Sequence, residues 1–259
     1  MNRLKQKLEY HYKAFDRSTL EPDPLQFLHL FDDEKDIEVI GFIASVFAYG
    51  TVAQINSTVG KIVKLANNKP YDFVFNFNDK KDSKLFKGLR HRFYSETDII
   101  RFIFLLGKVY RENQSLKNVF LNGFNENDLN VKKGISNFSK QFLILYKNYF
   151  GKESRGIKFM FPLPEKGSAC KRMNLFLRWM VRKDELDFGL WNEIPSNKLI
   201  IPVDTHVAKI SKQLNLTKRK NVSWKMAEEI TNNLKKFDPF DPVKFDFAIC
   251  HIGMRNLQF

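Results

Sequence analysis

Residues 199–216 read LIIPVDTHVAKISKQLNL. An apolar run from Leu199 to Val203 stops abruptly at Asp204, Thr205 and His206, and a new pattern begins with Val207, Ile210, Ser211 and Leu214. Spacings of three and four place those residues on one face of an α-helix. Asp204 therefore stands where the first turn of a helix needs an oxygen for its orphan N–H groups, and Asp is a favoured capping residue. A carboxylate mounted on that same helix end is also well placed for chemistry. At this level both roles stay open.

The same periodicity extends over most of the chain and points to an all-α fold. In SETDIIRFIFLLGKVYREN (95–113), Ser95 and Asp98 have the spacing of a capping box, followed by an apolar stripe of Ile99, Phe102, Ile103, Leu106 and Val109 or Tyr110. Helical segments are expected at about 2–16, 24–31, 35–48, 51–66, 70–78, 83–88, 95–111, 115–122, 131–150, 168–183, 188–193, 205–214, 223–235 and 241–253. YDFVFNFN (71–78) is the best strand-like run, but it has no convincing partner. The stretch GKESRGIKFMFPLPEKG (151–167) holds three of the 12 Gly and two of the nine Pro and reads as the main internal joint. The expected organisation is a single helical unit, 1–259, in two lobes: about 35–150, and 151–259, with 1–34 packing on the second.

Composition narrows the function classes. The 259 residues are 43% hydrophobic and include 26 Phe, a load that reads first as core. Lys and Arg number 43 against 29 Asp and Glu, a net charge of +14, which favours a polyanionic partner. Two cysteines, Cys170 and Cys250, exclude a disulfide scaffold and a four-cysteine zinc or iron–sulfur site within the chain, and suit a reducing compartment. No apolar run is long enough to span a membrane. The start, MNRLKQKLEYHYKAF, lacks an apolar signal core, so a cytoplasmic protein is expected.

The densest chemistry lies in GSACKRMNLFLRWMVRKDELDFG (167–189). Gly167 and Ser168 lead into a helix with an apolar face of Cys170, Met173, Phe176 or Leu177, and Met180. The opposite face carries Lys171, Asn174, Arg178 and Arg182. A basic stripe opening on a Gly-Ser-led helix suits phosphate, because N–H groups, dipole and cations all favour an anion there. A solvated polar face gives the same pattern.

This order, a Gly-led turn, a helix opening with Lys171 and then Val203-Asp204-Thr205-His206-Val207 at the next helix start, resembles the helix–hairpin–helix DNA glycosylases of the endonuclease III superfamily. Residues 168–210, with FDFAICHIGM (245–254), look like a bacterial branch of that superfamily described only as a domain of unknown function. IGFIASVFAYGTVAQINSTVGKI (40–62) is similar to the superfamily's early helix pair. The resemblance covers roughly 35–253. It implies a two-lobed helical bundle with a cleft between the lobes. There are departures. The usual hairpin, Leu-Pro-Gly-Val-Gly-x-Lys, is here Leu163-Pro164-Glu165-Lys166-Gly167-Ser168-Ala169-Cys170-Lys171, one glycine short. The separation of Lys171 and Asp204 exceeds that in endonuclease III and is similar to the archaeal 8-oxoguanine glycosylase branch. The C-terminal iron–sulfur cysteines are absent.

The resemblance implies a base-excision glycosylase, with AP lyase activity through a lysine Schiff base, acting on a base flipped from duplex DNA. Lys171 would be the nucleophile, with Lys166 as a second candidate, and Asp204 would stabilise the developing charge on the sugar. No metal or other cofactor is implied. Nucleic-acid contacts are expected from Gly167, Ser168, Arg172, Asn174, Arg178, His206 and Lys209, and from Tyr49, Gln54, Arg90 and Arg92 near the polar turn at Gly50 and the run GLRHRFYSETD (88–98). His206 reads equally as a capping or packing residue, and Trp179 and Trp191 read as core or as platforms for an extruded base. The basic run TKRKNVSW (217–224) could track a DNA backbone. The alternative is a helical module that binds DNA or RNA without excising a base. Metal-dependent phosphohydrolysis finds little support, because Asp32-Asp33-Glu34 and DPFDP (238–242) lack metal-ligand spacing with histidines.

Overall fold

The structure, a computed structural model, describes residues 2–255. Among them the chain is all-helical. The α-helices are α1 (Asn2–Lys13), α2 (Glu34–Phe47), α3 (Val52–Leu65), α4 (Pro70–Asn76), α5 (Asp79–Asp82), α6 (Glu96–Asn113), α7 (Leu116–Leu121), α8 (Lys132–Phe150), α9 (Arg155–Met160), α10 (Lys171–Val181), α11 (Thr205–Gln213), α12 (Trp224–Leu234) and α13 (Asp246–Arg255). Short 3-10 segments join them, among them Pro24–Leu30, Pro164–Lys166 and Pro242–Phe245. No described residue lies in a strand; extended pairing is limited to isolated bridges at His91–Tyr94 and Lys183–Phe188. The strand-like 71–78 forms α4, started by Pro70 in its first turn. No described helix is long and apolar enough to cross a membrane.

The chain forms two compact units and passes between them four times, after Leu20, Asn125, Lys132 and Leu163. A middle unit comprises Glu21–Asn125 and Lys133–Leu163. A terminal unit, so named for its place in the sequence, comprises the residues up to Leu20, Glu126–Lys132 and those from Pro164 onward. Residues 151–163, expected to be a loop, thus belong to the middle unit and contain α9. The reason is local: Ser154 caps α9 by accepting from Ile157 N, and its hydroxyl donates to Asp98, the capping-box residue of α6. A Cβ at Gly156 would stand 2.4 Å from the Asp98 carboxyl, so only glycine lets α9 approach this closely.

The middle unit uses its phenylalanines as core. Phe42 of α2 meets Phe102 of α6, Phe138 and Phe142 of α8, and Phe161. Phe142 and Phe161 stack with centroids 4.4 Å apart. Buried Glu38 accepts from Tyr110 Oη at 2.8 Å and from Leu116 N at 3.0 Å, so one carboxylate joins α2 and α6 to the start of α7.

The terminal unit is organised around α10, of which every residue except Lys171 and Leu175 is buried. Its polar stripe enters the core as ion pairs. Arg178 donates to Asp246 Oδ2 at 2.6 Å and to Asp187 Oδ1 at 3.2 Å; these three side chains are at most 3% exposed. Arg182 pairs with Asp187, with Asp184 at 2.8 Å and with Asp241 at 2.9 Å. Burial opposes the charge of Arg178, but the pull of Asp187 and Asp246 more than offsets it, so the guanidinium stays charged. Burial likewise opposes the charge of Asp184, yet Arg182 and the Asp187 and Leu186 amides bring its carboxyl down to about 2. Tyr12 of α1 donates to Asp184, and Phe15 packs edge-on against Phe247 of α13 at 5.4 Å, which attaches the first helix to the last. Residues 188–193, expected as helix, are irregular because Phe188 N and Trp191 N donate to Trp179 O and Met180 O, satisfying the open carbonyl end of α10.

Breaking a buried ion pair leaves its partners' charges uncompensated, which costs roughly 3–5 kcal/mol. Arg178→Met is expected to destabilise the protein by that amount in urea unfolding. Arg219→Met, which removes a half-exposed pair with Glu229 at 2.8 Å, is expected to cost under about 1 kcal/mol.

Candidate active site

The turn between Pro164 and Lys171 presents the first residue of α10. It contains two left-handed positions, Gly167 at φ 86° and Cys170 at φ 47°. The second is uncommon for a residue with a Cβ. Cys170 N donates to Ser168 Oγ at 3.2 Å, and Gly167 O accepts from Trp224 N at 3.1 Å, which anchors the turn to the start of α12. Burial pushes the Cys170 thiol up to about 12, so this cysteine is a neutral packing group and not a nucleophile.

Asp204 is the N-cap of α11. Its Oδ1 accepts from His206 N and Val207 N, both at 2.9 Å. Its Oδ2 lies 3.6 Å from Lys171 Nζ. The two side chains are 28% and 26% exposed, so both are open to solvent. One oxygen therefore holds the helix end and the other faces the amine.

The other expected site residues divide. On α11, His206 and Lys209 are exposed; His206 supplies a backbone N–H to the cap. Gly167 and Lys166 are exposed and Ser168 is half-buried, and the pair with Asp204 is made by Lys171, not by Lys166. The other nucleic-acid contacts expected on α10 are corrected. Arg172, Asn174 and Arg178 are 8%, 1% and 3% exposed; Asn174 donates to Ala169 O, and Arg178 is committed to Asp187 and Asp246. They form an interior and not a phosphate-facing surface; around Arg178, Asp187 and Asp246 supply the counter-ions. Trp179 and Trp191 are likewise buried, which leaves neither as a platform for an extruded base. In 217–224, Lys218, Arg219 and Lys220 are exposed, and the loop ends at the Trp224 amide that holds Gly167.

A second cluster lies within the middle unit. Buried His91 donates through Nε2 to Tyr49 O at 2.8 Å, while its Nδ1 is 2.9 Å from Thr58 Oγ1; this fixes the loop 88–94 on the turn at Gly50. Exposed Arg92 lies over the Tyr49 ring at 4.5 Å. Arg155 of α9 lies over Phe93 at 5.1 Å, and Phe159 meets Tyr49 at 4.7 Å. Arg90 is exposed. Gln54 is exposed but its Oε1 accepts from Thr51 N in a capping box, so its first duty is to the start of α3. Arg155 and Phe159 were missed in the sequence because their segment was read as a joint; Ser154 followed by an apolar Ile157 and Met160 was the available helix signal.

A family model described as "Protein of unknown function (DUF2400)" matches residues 23–255. The chain belongs to this family. The match takes in the Lys171–Asp204 pair and the middle-unit cluster alike. No curated protein and no solved structure matches the chain. Among the described residues, no three His, Cys, Asp or Glu side chains come together with metal-binding geometry.

The two duties of Asp204 separate by substitution. Asn is as good a cap as Asp, so Asp204→Asn should unfold within about 0.5 kcal/mol of wild type, whereas Asp204→Ala should lose about 1 kcal/mol. Paired urea titrations of the two variants measure the difference.

Proposed function

We propose that this protein is a base-excision DNA glycosylase of the helix–hairpin–helix type, with AP lyase activity through Lys171. The observation that carries the reading is the 3.6 Å approach of Lys171 Nζ to Asp204 Oδ2, both partly exposed, with Asp204 immobilised by its own cap. The ammonium of Lys171 first gives up a proton, for which Asp204 is the adjacent acceptor. Its lone pair then attacks C1′ of an extruded nucleotide, the C1′–N glycosidic bond breaks and the base leaves with the bonding electrons, taking up a proton. Ring opening gives an imine between Nζ and C1′. Loss of a C2′ proton then expels the 3′ phosphate by β-elimination. The proton that Asp204 took from Lys171 passes to the departing base, and the carboxylate so restored stabilises the positive charge on the sugar at close range. The net charge of +14 and the exposed cations on 217–224 and α11 suit the phosphate backbone.

A competing reading, a helical module that binds nucleic acid without excising a base, is favoured by the turn 163–171, which lacks one glycine of the usual hairpin. Borohydride trapping decides between them. Wild type is incubated with duplexes carrying 8-oxoguanine, uracil, thymine glycol or an abasic site. A covalent adduct is expected on at least one, lost in Lys171→Ala and reduced at least tenfold, about 1.4 kcal/mol of barrier, in Asp204→Asn. Salt-sensitive binding with no adduct and no base release on any duplex would leave the binding module.

The middle-unit cluster gives a further prediction. Arg92→Gln and Arg155→Gln should each weaken binding about equally for all duplex sequences, and lower the slope of log K against log salt by about one for each phosphate left without its cation. Fluorescence anisotropy across a salt series measures this.

A further inference from the structure

Asp246 is the first residue of α13 and is 2% exposed. Its Oδ2 accepts from Arg178 Nη1, but its Oδ1 has no hydrogen-bond partner among the described residues. A buried carboxylate oxygen without a donor is costly; a carboxylic acid in that place costs less, because a neutral O–H needs less solvation than an anion. Arg178 already has Asp187 as a second counter-ion, so Asp246 is not required to neutralise it. Arg178, which holds the Asp246 carboxyl, lies seven residues and so about two turns along α10 from Lys171. The helices concerned are held together: α11 packs along α13, and α10 carries both Lys171 and Arg178.

We propose that Asp246 is a positioning residue for the Lys171–Asp204 pair, its single exchangeable proton deciding whether the amine is surrounded by one carboxylate or by two. With Asp246 protonated, Asp204 is the carboxylate that faces the amine. With Asp246 ionised, a second negative charge favours the ammonium form of Lys171 and opposes the attack that needs a neutral amine. The inference rests on the glycosylase reading for what the pair does, though not for its geometry.

Burial pushes the Asp246 carboxyl up to about 6, against the opposing pull of Arg178, and Asp204 adds to the rise while Lys171 reduces it. The charged groups that bear on it are Arg178 and Lys171 from α10 and Asp204 from α11; Arg178 also pairs with Asp187 of the following loop, and buried His251 lies further along α13 itself. Lys244, on the 3-10 turn that precedes α13, is itself paired with Glu9 and Asp238. Because the folded value exceeds that of a free carboxyl, the contribution of this group to stability is fully present below about pH 4 and is lost as pH rises through about 6.

The test reads Lys171 directly and needs no substrate. The intact protein is reductively methylated with ¹³C-formaldehyde, which keeps the amine's charge, and the Lys171 resonance is assigned by its loss in Lys171→Arg. In wild type this resonance should show an inflection near pH 6 in addition to its own titration. The inflection should vanish in Asp246→Asn and persist in Asp204→Asn. Its absence in wild type, its survival in Asp246→Asn or its loss in Asp204→Asn each overturns the proposal. If Asp246→Asn does not fold, wild type and Asp204→Asn still decide. Borohydride trapping fails independently: an inflection without any adduct keeps the Asp246 coupling and sinks the glycosylase reading, and an adduct without an inflection does the reverse.

Discussion

Two guanidinium groups taken out of water set the architecture of the terminal unit. Arg178 and Arg182 lie on the buried side of α10, and each must be matched in place by carboxylates, because a charge in a low-dielectric interior has no water to fall back on. The matching residues come from separate parts of the chain: Asp184 and Asp187 from the loop after α10, Asp241 and Asp246 from the approach to α13. That requirement fixes how α10 and α13 register against one another. Lys171, the cation of the same stripe that is not buried, is left at the exposed end of the helix, facing Asp204. The site is thus the surface outlet of an interior charge network.

The long helices with an apolar face were legible in the sequence, while the six-residue α9 was not. The stripe from Ile99 to Tyr110 and the cap at Ser95 are found as read, since spacing and capping are local properties. The N-cap at Asp204 was legible for the same reason. Its pairing with Lys171 came from resemblance to a family, because nothing in spacing brings residue 171 to residue 204. The stripe of Lys171, Asn174, Arg178 and Arg182 was placed on one side of a helix correctly, and its surroundings were not foreseen. Helical periodicity says which residues share a face; it cannot say that aspartates far along the chain will cover it. The irregular 188–193 shows the same limit, since its amides answer carbonyls of α10 that a local pattern does not see.

The middle unit shows how a turn rich in glycine and charge can be rigid. Gly50, at φ 118°, leaves room for the Arg92 side chain, and a Cβ there would stand 2.7 Å from its Cδ. The imidazole of His91 then fastens the two loops through a carbonyl and a hydroxyl. Arginines lying over aromatic rings give this surface both charge and flat apolar area, a combination suited to a backbone of phosphates carrying bases.

The four crossings between units have a consequence for synthesis. Domains tend to fold as they leave the ribosome, N-terminal parts first. Every residue of the middle unit has been made once Leu163 emerges, so that unit can close while translation continues. The terminal unit has no such freedom. α1 is made before the whole middle unit, yet the Phe247 against which Phe15 packs is made after it. Arg178 likewise waits for Asp246. Lys171 and Asp204 are both made before Asp246, so the pair precedes the interior that supports it.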